Sequence, residues 1–207
     1  MKIFKILVLI FACMFTVYAQ AEVVAGKDYK LLNPPQPISS GKKIEVLEFF
    51  FYECPHCYHL YGPLSAWEKR MPKDVELDFI PVIFRDTAEP LARTYYALQS
   101  LGQSERLQKD LFEALHVLNM DLGDEAKITE FVAKHGVERG KFGAAYNSFS
   151  VQSKIAHGNQ MLESYRVRGT PTIVVDGKYM ITELEPAETI RVLDQVVALA
   201  RKERGMH

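Results

Sequence analysis

The chain has 207 residues, with 25 Lys and Arg against 26 Asp and Glu, for a formal net charge of −1. That balance provides no electrostatic footprint for nucleic acid or an anionic membrane surface. The length suits one ordinary domain, or one domain carrying an inserted subdomain.

Residues 1–21 read as a cleaved secretory signal peptide. Lys2 and Lys5 precede an apolar run over 6–17, interrupted only by Thr16, and Ala19-Gln20-Ala21 forms a small-x-small cleavage site. The run is too short to cross a bilayer, which takes about 20 residues. Cys13 lies inside it and is discarded with it. A lipidated Cys13 fits less well, because bulky Phe11 stands in the tripeptide before it. Removing 21 of 207 residues leaves 186, with 23 basic and 26 acidic groups and a net charge of −3. Export places the mature chain in an oxidising compartment, where disulfides persist.

The stretch 23–43 holds Pro34, Pro35, Pro37 and a Ser39-Ser40-Gly41 turn, and predicts an irregular or extended lead-in. Residues 44–51 are rich in β-branched and aromatic side chains and predict a buried strand. Glu48 in the middle of that run is an anomaly. A helical pattern follows from about Cys57 to Arg70, with Leu60, Leu64 and Trp67 at core spacing. Residues 75–84 predict a second strand, so the first part is a parallel, right-handed βαβ unit.

From Pro90 to about Arg166 the sequence shows only helical periods. They are broken at Leu101-Gly102, over 119–124 and at His135-Gly136, with helix starts at Ser104-Glu105 and Asp124-Glu125. Strand chemistry resumes over 172–175 and 178–182, joined by Asp176-Gly177, a tight hairpin signal. Glu185-Pro186-Ala187-Glu188 opens a last amphipathic helix. The order is βαβ, helical block, ββα. The expected fold is therefore α/β, a thioredoxin fold with an inserted all-helical subdomain. The expected division is 22–87 and 167–207 for the thioredoxin-like domain and 88–166 for the insertion.

The chemistry rests on Cys54-Pro55-His56-Cys57, the only cysteines outside the signal. A lone Cys-x-x-Cys after an apolar strand and opening a helix reads as a redox-active dithiol. At a helix N-terminus, orphan N–H groups and the helix dipole favour a Cys54 thiolate. Pro55 suits the first helical position because it lacks an N–H, and His56 adds a donor or a cation. A stabilised thiolate stabilises the reduced form, so the disulfide becomes a stronger oxidant. Cys57, one turn on, is the expected buried resolving thiol.

Competing chemistries fit less well. A structural zinc site wants four ligands, and only Cys54, Cys57 and His59 are local, so no metal is expected. Haem attachment needs His after the second Cys, and Tyr58 stands there. A two-residue spacing strains a bridge and makes it reducible, which argues against an inert disulfide. Gly169-Thr170-Pro171-Thr172 precedes a strand. Read plainly it is a loop proline; read sharply it is a cis-proline that exposes the Thr170 backbone to an extended substrate segment. His116, His135 and His157 share no spacing and read as surface or capping residues. Trp67 reads as packing behind the dithiol.

These features together resemble the DsbA-type periplasmic thiol:disulfide oxidoreductases. The likeness covers essentially the whole mature chain. It rests on 46–50, the Cys-Pro-His-Cys site, Gly169-Thr170-Pro171-Thr172, the Asp176-Gly177-Lys178-Tyr179 hairpin and the helical insertion. The resemblance implies a monomer that introduces disulfides into unfolded exported proteins and is reoxidised by a DsbB-type inner-membrane quinone reductase, with no bound cofactor. It makes Cys54 and Cys57 catalytic, Pro171 the cis-proline, Thr170 a substrate contact, and Glu48 a buried proton acceptor near Cys57. Some members pair that acid with a Lys on the next strand, and none stands here. Glu53, before the first cysteine, departs from the usual apolar residue and predicts a milder oxidant. The alternatives are a reductase or isomerase using the same site, and a binding module on the same scaffold. An isomerase of the DsbC type is disfavoured by the short lead-in.

Overall fold

The computed structural model describes residues 22–206. The signal-peptide expectation over 1–21, Cys13 included, lies outside them. Five strands, β1 (Lys30–Leu31), β2 (Ile44–Phe50), β3 (Val75–Pro81), β4 (Thr172–Val175) and β5 (Tyr179–Thr182), form one mixed sheet in the order β1-β5-β4-β2-β3. Among the described residues there are also seven α-helices: α1 (Pro55–Glu68), α2 (Glu89–Ser100), α3 (Ser104–His116), α4 (Glu125–Lys134), α5 (Arg139–Tyr146), α6 (Phe149–Ser164) and α7 (Pro186–Glu203). Helices α2 to α6 all fall between β3 and β4, in the stretch where only helical periods were expected.

β2 is central and buried throughout. It runs parallel to β3 and antiparallel to β4, so its apolar run needs no polar face. β3 ends at Pro81 rather than at 84, since a proline cannot donate to the ladder. The hairpin from β4 to β5 turns through Asp176 (φ 56°) and Gly177 (φ 63°), both left-handed as a type I′ turn requires. A Cβ on Gly177 would sit 2.1 Å from the carbonyl oxygen of Gln36, so the lead-in is laid directly over this turn. The sequence did not foretell β1, a two-residue strand that pairs with β5. It also did not foretell the break between α5 and α6, where the Ser148 hydroxyl accepts from the Val151 N–H at 3.2 Å.

Three apolar clusters result. One lies between the sheet and helices α1 and α7, built on Val46, Leu60, Leu64, Trp67, Val192 and Val196. One fills the helical block and takes in Phe50, Tyr52, Cys54 and Cys57. The third covers the opposite sheet face around Leu47, Phe49, Tyr165 and Val174. Trp67 packs in the first cluster and its indole N–H donates to Asp194 Oδ1 on α7 at 2.7 Å. Arg70 meets the other oxygen of Asp194 at 3.0 Å. The helix bearing the dithiol is thereby fastened to α7.

Trp67→Ala removes a fully buried ring and the donor to Asp194. Urea unfolding should show a loss of about 3–5 kcal/mol; an unchanged midpoint would mean that α1 is held by other contacts.

Candidate active site

Cys54 is the N-cap residue of α1. Its backbone is extended (φ −83°, ψ 116°) and its sulfur accepts from the Cys57 N–H at 3.4 Å. Pro55 occupies the first turn and forfeits no hydrogen bond there. The cap geometry brings four donors to one sulfur. In order of effect, the Cys57 thiol leads, burial then opposes it, and the Thr170 hydroxyl and the backbone N–H groups of Cys57 and His56 follow. They pull Cys54 from an ordinary value near 9 down to about 5. His56 acts here through its backbone, and its ring is exposed. Cys57 is fully buried, and burial, the hydrogen bond it gives Cys54 and the nearby Glu48 all push its thiol up. The two thiols thus differ widely in acidity although only two residues separate them.

The Thr170–Pro171 bond is cis. It places the Thr170 carbonyl oxygen 3.3 Å from the Cys54 sulfur. A thiolate cannot donate to that oxygen, so in the ionised state the Thr170 hydroxyl is the contact that holds. The Thr172 hydroxyl closes the turn onto the Gly169 carbonyl at 2.8 Å. A groove of about 530 Å³ runs beside this loop, lined among others by His56, Leu60, Thr170, Pro171, Ile181 and Leu184. It lies open beside the backbone of Thr170, where an extended segment could pair.

Glu48 is 2 % exposed. Its strand neighbours are Phe79 on β3 and Ile173 on β4, so neither flank supplies a cation. Burial first, and then the Cys54 charge, push its carboxyl up to about 8. A carboxyl in that range stays protonated at neutral pH and can trade a proton with a neighbour.

Two contacts at the dithiol had no sequence signal. Glu53 does not stand bare: its Oε1 is paired with Arg85 Nη2 at 3.0 Å, and Arg85 also lies over the Phe51 ring at 5.1 Å. The pairing spans 32 residues, which no local pattern reports. His116, expected to be a surface or capping residue, ends α3 and binds the carbonyl oxygen of Tyr52 through Nε2 at 2.8 Å. Its ring is stacked on Tyr58, with centroids 5.0 Å apart and planes at 9°. Of the aromatic run around the site, Phe50 and Tyr52 are core, Phe49 faces the other side of the sheet, and Phe51, Tyr58 and Tyr61 are half-buried. Among the described residues no group of three or more His, Cys, Asp or Glu could hold a metal ion.

Residues 64–193 match the family described as "DSBA-like thioredoxin domain". That match begins just past the dithiol, but whole-chain relatives extend over it. A protein of Bordetella pertussis named thiol:disulfide interchange protein DsbA is 37% identical over 192 residues, covering 90% of this chain and 91% of its own. One of the same name from Pseudomonas aeruginosa PAO1 is 33% identical over 194 residues, covering 92% of each. The crystal structure of oxidoreductase DsbA from Xylella fastidiosa aligns with a TM-score of 0.82 at 34% identity, over 87% of this chain and 98% of that one. Pseudomonas aeruginosa DsbA aligns at 0.85 and 32%, over 88% and 97%. Sheet order, dithiol cap, cis-proline and kinship agree, and the chain belongs to the DSBA-like thioredoxin domain family.

Proposed function

We propose that this thiol:disulfide oxidoreductase introduces disulfide bonds into exported proteins by exchange at Cys54 and Cys57. The observation that carries this reading is the sulfur of Cys54 at the N-cap of α1, surrounded by donors. In the oxidised enzyme, a substrate thiolate attacks Cys54 Sγ. The Cys54–Cys57 bond breaks, its electron pair leaves on Cys57, and that sulfur takes up a proton. Glu48, whose carboxyl is pushed up by burial, is suited to supply it. A second substrate thiolate then attacks the substrate sulfur of the mixed disulfide. Cys54 departs as a thiolate and the substrate keeps the disulfide. A low-pKa thiol leaves fast.

The same acidities argue against the reductase reading. For the enzyme to recover its own disulfide from a mixed disulfide, Cys57 must attack as a thiolate, and its environment holds the proton on. No cofactor is needed, because the dithiol itself carries the electrons. We read 22–87 and 167–207 as the thioredoxin-like domain and 88–166 as the insertion, supported by the five helices between β3 and β4. The signal pattern over 1–21 supports action in the periplasm. The family resemblance supports unfolded exported substrates, a monomer, and reoxidation by a DsbB-type membrane quinone reductase. The groove beside Thr170 and Pro171 is the substrate contact in this reading.

Three measurements check it. Oxidised protein mixed with reduced, unfolded ribonuclease should restore ribonuclease activity, and Cys57→Ser should trap mixed disulfides; neither occurring sinks the oxidase reading. The reduced protein's thiolate absorbance near 240 nm should titrate with a midpoint near 5, whereas a midpoint above 7 would show that the cap does not act on the sulfur. Arg85→Ala should release the Glu53 charge beside Cys54 and raise that midpoint. A midpoint unmoved by Arg85→Ala would mean that the Glu53 charge does not reach the thiol.

A further inference from the structure

We propose that His116 is a positioning residue for the dithiol, fixing from the helical block both the turn that enters Cys54 and the helix that leaves Cys57. A carbonyl oxygen only accepts, so the 2.8 Å contact to Tyr52 requires the proton on Nε2. Tyr52 lies two residues before Cys54, and Tyr58, on which the same ring is stacked, directly follows Cys57. One imidazole therefore touches the chain on both sides of the Cys-x-x-Cys motif.

The turn it holds has few other polar anchors. The Cys54 N–H returns to the Phe51 carbonyl at 3.0 Å. The Tyr52 hydroxyl is buried without a hydrogen-bond partner among the described residues. Its ring is held by Phe50 and Phe112, with centroids 5.1 and 5.0 Å away. Phe112 stands one turn before His116 on the same face of α3, so this helix end grips Tyr52 by ring and by backbone. The cap of Cys54 on the Cys57 N–H spans 3.4 Å, and its strength depends on how the turn aims the sulfur at the helix end. Loosening the Tyr52 carbonyl loosens that aim and weakens the stabilised thiolate. His116 touches neither sulfur, so its effect is exerted through Tyr52 and Tyr58.

This inference rests on the reading of Cys54 as the attacking thiol. Its test uses the full mature chain with two substitutions. His116→Phe keeps a ring against Tyr58 and removes the donor, with His116→Leu in its place should it not fold. His116→Gln keeps a donor of similar reach and removes the ring. For each, the equilibrium with glutathione and the 240 nm thiolate titration are measured alongside thermal melting. Removing the donor should shift the glutathione equilibrium toward the oxidised protein by up to about fivefold, the worth of one ordinary hydrogen bond. It should also raise the thiolate midpoint, and His116→Gln should recover most of both. A donor-free variant that melts lower but keeps the wild-type equilibrium and midpoint overturns the proposal, as does an equal shift in both variants. A wild-type Cys54 that titrates as an ordinary thiol defeats the reading beneath it instead. A low wild-type midpoint unmoved in His116→Phe defeats this inference alone.

Discussion

The placement of Cys54 as the cap of α1, its sulfur accepting from the Cys57 N–H, is the constraint on which the rest of the site depends. A helix start leaves N–H groups without partners, and the dipole gathers positive potential there. A cysteine placed as the cap meets both needs at once: it satisfies a donor and gains a stabilised charge. Pro55 at the first helical position leaves that donor pattern intact. The buried strand β2 delivers the chain to this point, and Trp67 and Asp194 keep the helix that carries it in place. The cis Thr170–Pro171 bond closes the other side with a further donor.

The asymmetry of the two thiols follows from this one placement. Cys54 lies where the helix ends and the Thr170 loop begins, so donors reach it. Cys57 lies one turn in, among apolar side chains and beside Glu48, so its proton is retained. A disulfide between a good leaving group and a poor one, with a protonated carboxyl at hand, passes its bond outward rather than back. Both cysteines belong to the apolar cluster of the helical block, not to the cluster between the sheet and α7. The block therefore builds part of the site's surroundings.

What the sequence disclosed is local. The strand over Glu48, the cap at Cys54, the I′ turn at Asp176-Gly177 and the proline at 171 each follow from neighbours a few residues apart, and each stands where it was expected. The cis state of Pro171 was one of two readings there, and the structure selects it. What escaped was long-range. A bare Glu53 beside the thiol predicted a weakened thiolate, but Arg85, from the loop after β3, meets its charge. His116 read only as a surface or capping residue because nothing near it in sequence signals Tyr52, 64 positions away. The two-residue β1 escaped because it is set by the exposed edge of β5 rather than by its own side chains.

The central claim is that the fold prefers the dithiol to the disulfide, because only the dithiol form has a Cys54 thiolate to stabilise. A thiol held near 5 in the folded state, against about 9 when unfolded, adds stability that is complete above pH 9 and lost as pH falls through about 5. At pH 7 part of it is present. The four-residue ring closed by the disulfide offsets little of it, because short loops constrain the unfolded chain least. The direct measurement is thermal unfolding of the reduced and the oxidised protein at pH 7 and at pH 4.5. The reduced form should melt higher at pH 7, with the gap shrinking at pH 4.5. An oxidised form that melts higher at pH 7 would contradict the account.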